Sequence, residues 1–228
     1  GWGLRAGNLW IWDYRVGFHE GGDLPRADLE DLDRQYAAYR EAGVEGVYAQ
    51  TDFADVGDFH DLEVWLLTRL MEDPSARGER LVSEFLSGYY GRAGKPIRAY
   101  LRRLERAVEK TPGRLSFAPA PEEFVWLDRK FIREAQRGFD RAERRVADDP
   151  RMAARVRGAR VALDRATLAR WETLWPAAGP PAPWARETIW QRYETTRRKR
   201  TEQRLEGAWK QRALDDLERE KVRMGHDG

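Results

Sequence analysis

Apolar and polar positions alternate near the start of the chain and then settle into a period of three to four residues. LWIWDY, Leu9 to Tyr14, is aromatic and β-branched and reads as a strand. Alternation puts Trp10, Trp12 and Tyr14 on one face, with Ile11 and Asp13 on the other. A loop, GFHEGGDLPRA, leads to a helix expected to begin near Asp28, whose carboxylate suits the first-turn amides. Leu29, Leu32, Tyr36 and Tyr39 form its apolar stripe, and Gly43 is the expected stop. VEGVYAQ, Val44 to Gln50, is a second short strand. Strand, helix and strand in succession predict a βαβ unit with parallel strands. The pattern occurs once, and one such unit cannot close a barrel.

The helical period holds from Asp58 onward. Leu62, Trp65, Leu66 and Leu70 form one stripe, ended by DP at 73–74. Leu81, Phe85 and Tyr89 form the next, closing between Gly88 and Gly94. Pro96 falls in the first turn of a third helix, where its missing amide costs nothing, and Ile97, Tyr100, Leu101, Leu104 and Val108 follow in register. The longest run takes Phe124, Leu127, Phe131, Ala135, Phe139, Ala142 and Val146. DDP at 148–150 breaks it, with Asp149 as a cap and Pro150 starting a helix that carries Val156, Ala159, Leu163, Leu168, Trp171 and Trp175. A short break between two long helices predicts an antiparallel pair. PAAGPPAP, 176–183, is a stiff linker, and the helix after Trp184 is poor in core residues.

Charge divides the chain. Residues 1–74 hold 6 Lys and Arg against 16 Asp and Glu, a net of −10, and residues 75–228 hold 35 against 23, a net of +12. An acidic first third repels phosphate backbones, which argues against nucleic acid as the partner of the whole chain. With no cysteine among 228 residues, disulfides and thiolate chemistry are excluded. No apolar run is long enough to span a bilayer. The chain starts at Gly1 and is read as a fragment.

The succession WIWDY, AGVEGVYAQ, LEVWLLTRLMEDP and LVSEFLSGYYGRAGKPIRAYLRRLE resembles the end of the domain of unknown function 4838 family over residues 9–175. EFLSGYYGRAG is its most specific element. The family's members are glycoside-hydrolase-like TIM-barrel proteins of alpha-glucuronidase-like or hexosaminidase-like kind. The resemblance implies a mostly α chain: a terminal βαβ remnant of a (β/α)8 barrel, then a C-terminal antiparallel helical domain. The expected division is 1–74 for the last βα units, 75–175 for the helical domain, 176–183 for the linker and 184–228 for a charged helical tail. It also implies a secreted or periplasmic parent that acts on or binds an oligo- or polysaccharide, with no cofactor. Its catalytic carboxylates would lie on strands outside this chain, so the chain alone is expected to be inactive as a glycosidase. The competing expectation is a non-enzymatic helical scaffold or interaction module.

In a barrel, side chains at strand C-termini reach the active-site face, and aromatic rings bury the flat C–H faces of sugars. The resemblance thus makes Trp12, Tyr14, Tyr48 and Gln50 the candidate substrate-binding residues, with Trp10 deeper in a packed interior. The plain alternative is an aromatic strand core. Asp13, of opposite parity, is expected to face the helices and cap or pair there. Glu20 and Asp52 follow the two strands, within reach of such a site, but nothing singles them out as catalytic. Asp52, Asp55, Asp58 and Asp61 lack the ligand spacing of a calcium loop, and His19, His60 and His226 show no metal spacing. No metal site is expected, and the aspartates read as a solvated acidic loop. RRKR at 197–200, interleaved with Glu194, Glu202 and Glu206, reads as a solvated helix in preference to a phosphate-binding patch.

Overall fold

Leu9–Arg15 form β1 and Val44–Thr51 form β2, joined by helix α1, Leu32–Glu41. The strands pair in parallel as a two-stranded sheet, so the βαβ unit is present. In the computed structural model the described residues are 5, 7–16, 23–27, 29, 31–52, 56–111, 115–116 and 118–225. Asp28, the expected cap, lies outside them. The helix starts at Leu32, buries Leu32 and Tyr36, and ends before Gly43, whose φ of 75° is easy only for glycine.

The rest is mostly helical: α2 (His60–Glu72), α3 (Gly78–Tyr90), α4 (Gly94–Glu109), α5 (Arg129–Arg145), α6 (Pro150–Ala169), α7 (Trp171–Leu174), α8 (Arg186–Arg204) and α9 (Gly207–Arg223). The predicted stripes are the buried ones in α2 through α4. Phe124 and Leu127 are buried as expected. They precede α5, which Asp128 caps by accepting from the Phe131 amide. Asp149 caps α6, accepting from the amides of Arg151 and Met152. One core runs from Leu24 and Leu32 through α2–α6 to Trp175.

EFLSGYYGRAG forms the corner between α3 and α4, and two of its glycines have physical reasons. Gly91 ends α3 with φ 50°. At Gly94 a Cβ would stand 2.5 Å from the Leu86 carbonyl oxygen. Backbone cannot yield as a side-chain tip can, so Gly94→Ala is expected to destabilise by about 1–3 kcal/mol. In an open helix the same change is neutral or favourable. A urea midpoint equal to or above that of the parent chain would show that the corner has room.

The segment after Trp184 departs from its expectation. Ile189, Trp190 and Tyr193 of α8 and Leu217 of α9 are buried, packing with Val161 and Leu168 of α6. Arg197 and Arg200, read as solvated, are largely covered. Arg197 donates to Glu220 of α9 at 2.5 Å, and Arg200 faces Asp61 of α2 at 4.0 Å. Charge at every third or fourth position hid an inward-facing row, because the pattern cannot tell a solvated arginine from one that meets a buried carboxylate.

Two polar clusters sit within these helices. Arg160 of α6 donates to Gln136 Oε1 through Nη2 at 2.5 Å, to Asp140 at 2.8 Å and to Glu143 at 2.7 Å. Gln136 donates to Asp164 at 2.8 Å, which also accepts from Arg192 at 2.6 Å. In the other cluster, Glu220 accepts from Arg165 Nε at 2.6 Å and from the Tyr193 hydroxyl at 2.6 Å. Arg165 also pairs with Asp23.

Candidate functional site

The sheet register sets Trp12 beside Tyr48, Tyr14 beside Gln50 and Trp10 beside Gly46. Parallel neighbours share a face, so five of these side chains and one glycine make one surface. That surface is uncovered: Trp10 is 69%, Trp12 61%, Tyr14 59% and Tyr48 58% exposed. All four sequence candidates are therefore brought together. Trp10 lies on the same open face; the packed interior expected for it is that of a complete barrel. The Trp10 side chain also borders a cleft with Tyr36, Tyr39 and Arg40 of α1 and Met71 of α2.

Ring geometry organises the surface. Trp12 and Tyr14 stack with centroids 5.9 Å apart and planes at 26°. Tyr48 meets Trp12 edge-on at 4.9 Å and 69°. The Trp12 indole Nε1 donates to Gln50 Oε1 at 3.1 Å. This bond fixes the Gln50 amide, whose Nε2 then has donor capacity for a ligand oxygen. Gly46 has a reason that pattern reading missed: a Cβ there would come within 2.5 Å of the Trp10 ring. A glycine inside a strand is itself the signal for such a close approach.

The opposite face is tied to the helices. Gln35 of α1 donates to Asp13 at 3.2 Å, so Asp13 faces α1 as its parity requires. At the C-terminal end of the strands, Arg15 pairs with Glu63 at 3.2 Å. Arg26 pairs with Asp52 at 2.9 Å and donates to the Arg15 carbonyl at 3.0 Å. Asp52 is thus buried in a structural ion pair, which corrects the expectation that it reaches an open site. Glu20 lies outside the described residues.

The aspartates read as a solvated loop are also engaged where they are described. Asp58 accepts from the Arg26 amide at 3.3 Å. Asp61 accepts from Arg204 at 2.5 Å and from the Tyr89 hydroxyl at 3.1 Å. Burial disfavours its ionised form, but Arg204, Arg200 and Tyr89 together hold its pKa below the ordinary carboxylate value. Asp55, His19 and His226 lie outside the described residues, and no group able to hold a metal ion occurs among the rest. No helix among the described residues is long and apolar enough to cross a membrane.

Fold and surface together define a mostly helical protein whose parallel two-stranded sheet presents an aromatic face. The family model described as Domain of unknown function (DUF4838) matches residues 1–102. The resemblance drawn from the motifs is borne out over that span, which holds both strands, α1–α3 and the EFLSGYYGRAG corner. Comparison with curated proteins and with solved structures found no match.

Proposed function

We propose that the open sheet face is the aromatic wall of a carbohydrate-binding site in a glycoside-hydrolase-like protein. In this reading β1 and β2 are the remnant of a (β/α)8 barrel, α1 lies outside it and the exposed rings face its lumen. α5 and α6 form an antiparallel pair in the appended helical part. The observation that carries the proposal is the exposure of Trp12, Tyr14 and Tyr48 beside a Gln50 amide fixed by Trp12. A parallel sheet is ordinarily covered on both faces, and an uncovered row of rings edged by an amide suits a ligand with flat C–H faces and hydroxyls. Trp12 and Tyr14 would stack on sugar rings, Tyr48 would border them, and Gln50 would hydrogen-bond a hydroxyl. Asp52 and Glu63, at the C-terminal end of the strands, are engaged by arginines and are assigned no part in an acid/base pair of the kind glycoside hydrolysis uses.

Titration of the chain with a panel of neutral gluco-, xylo- and chito-oligosaccharides, followed through the indole N–H resonances, tests the reading. The Trp12 resonance is expected to move with at least one saccharide while that of Trp209, on α9, stays put. Trp12→Ala is expected to abolish saccharide-induced shifts at Gln50. An unmoved Trp12 resonance across the panel would favour the scaffold reading instead. The chain alone is expected not to hydrolyse aryl-glycosides, and measurable turnover would overturn the assignment of its carboxylates.

A further inference from the structure

A cleft with an excess of cationic side chains lies between the first turns of α5 and the corner where α6 gives way to α7. It encloses about 680 Å³ and is lined by Arg129, Lys130, Arg133 and Arg137 on one side and by Arg170 and Thr173 on the other. Two carboxylates also line it, and both are committed. Asp128 caps α5 through the Phe131 amide at 2.7 Å, and Glu134 pairs with Arg103 of α4. The remaining acids of α5, Asp140 and Glu143, turn to Arg160 at 2.8 and 2.7 Å. Arg133 and Arg137 therefore stand one helical turn apart with no carboxylate partner among the described residues, although like charges at this spacing repel.

Arg170 is the second, independent observation. It is only 7% exposed. Its Nη1 donates to the Phe124 carbonyl oxygen, but its Nε has no hydrogen-bond partner among the described residues. A buried guanidinium with a bond unmade is costly. Burial also pulls its pKa down, against the nearby charges of Glu122 and Asp128. Guanidinium groups bind planar or tetrahedral oxyanions through paired donors, and Nε is a donor for which Arg170 has no acceptor among the described residues.

We propose that this cleft binds an oxyanion, the carboxylate or phosphate group of an anionic ligand, with Arg170 as anchor and Arg133 and Arg137 as flanking cations. The site shares no residue with the aromatic sheet face, so it stands or falls separately from the carbohydrate reading.

The test uses the full chain at constant ionic strength, balanced with chloride, with inorganic phosphate and citrate as probes. The Arg170 Nε–H resonance is expected to shift saturably with at least one. Preference for phosphate identifies a phosphoryl ligand, and preference for citrate a carboxylate ligand. The exposed double variant Arg133→Gln, Arg137→Gln is expected to weaken that binding at least about tenfold, the loss of one charge-assisted contact. Arg141→Gln, on the same helix outside the cleft, is expected to leave it unchanged. Because the double variant replaces solvent-facing residues, the test does not depend on altering buried Arg170. Shifts that fail to saturate with either probe, or equal affinity in the double variant, would overturn the proposal.

Discussion

Glu220→Ala is expected to cost about 3–5 kcal/mol of stability, the penalty typical of breaking a buried charge pair from one side. The carboxylate is enclosed by α6, α8 and α9, with Arg165, Arg197 and Tyr193 all donating to it. Its removal takes a buried carboxylate partner from both Arg165 and Arg197. Glu220→Gln keeps the shape and one acceptor oxygen, and loses the charge together with the hydrogen bonds made to the other oxygen. Urea unfolding of the three proteins should rank them in the order parent, Gln, Ala.

The same site makes a pH prediction. Burial pushes the Glu220 pKa up, but Arg165 and Arg197, with hydrogen bonds from Tyr193 and Arg165, outweigh it and leave the value lowered. A lowered folded-state pKa gives stability that is complete above the ordinary carboxylate range. It is lost as pH falls through the folded value. Asp23 works in the opposite sense: burial raises its pKa, so its contribution is lost as pH rises. The difference between parent and Glu220→Gln isolates the glutamate, and that difference should shrink on acidification below about pH 4. A constant difference down to the acid transition would mean that Glu220 is not held ionised.

Arg160→Ala is the second large effect, again about 3–5 kcal/mol. Arg160 binds four acceptors on three side chains and one carbonyl of α5, including Gln136 Oε1, Asp140 Oδ1 and Glu143 Oε1. Alanine would leave Gln136 Oε1 to Arg192 alone, at 3.0 Å, and strip Asp140 and Glu143 of their common cation. Arg160→Lys should recover only part of the loss, because one ammonium cannot reproduce a planar fork spread over separate acceptors. Equal stability of the Lys variant and the parent would reduce Arg160 to a point charge. Circular dichroism melts of the three proteins distinguish these outcomes.

These two networks show where sequence reading stops. Period-two alternation in LWIWDYR placed Asp13 against α1 and the three rings on the opposite face, because pleat parity is a local property. The same parity cannot show whether anything covers the rings, and their exposure is visible only in the folded chain. The stripes of α2–α4 and the caps Asp128 and Asp149 follow from local chemistry; Asp149 is marked by the DDP break, whereas Asp128 sits inside a longer periodic run that hides it. Arg160, Arg165, Arg197 and Arg200 were not legible. Arg165, Arg197 and Arg200 meet carboxylates more than 20 residues away, and Arg160 reaches across to α5 as well as to Asp164 on its own helix, so a local window does not show which arginines are covered.

The clasp between Arg204 and Asp61, with bonds of 2.5 and 3.0 Å across a separation of 143 residues, sets an order of events. Asp23 and Arg165 close a span of 142. Loop-closure entropy grows only slowly with span, so neither link is thermodynamically extravagant. Kinetically the matter differs, because non-local contacts form late. On a chain made N-terminus first, the start of α2 waits for the end of α8 before its carboxylate is met. The pair thus ties the end of α8 back to the start of α2, and a break at either residue is felt at both ends of the chain.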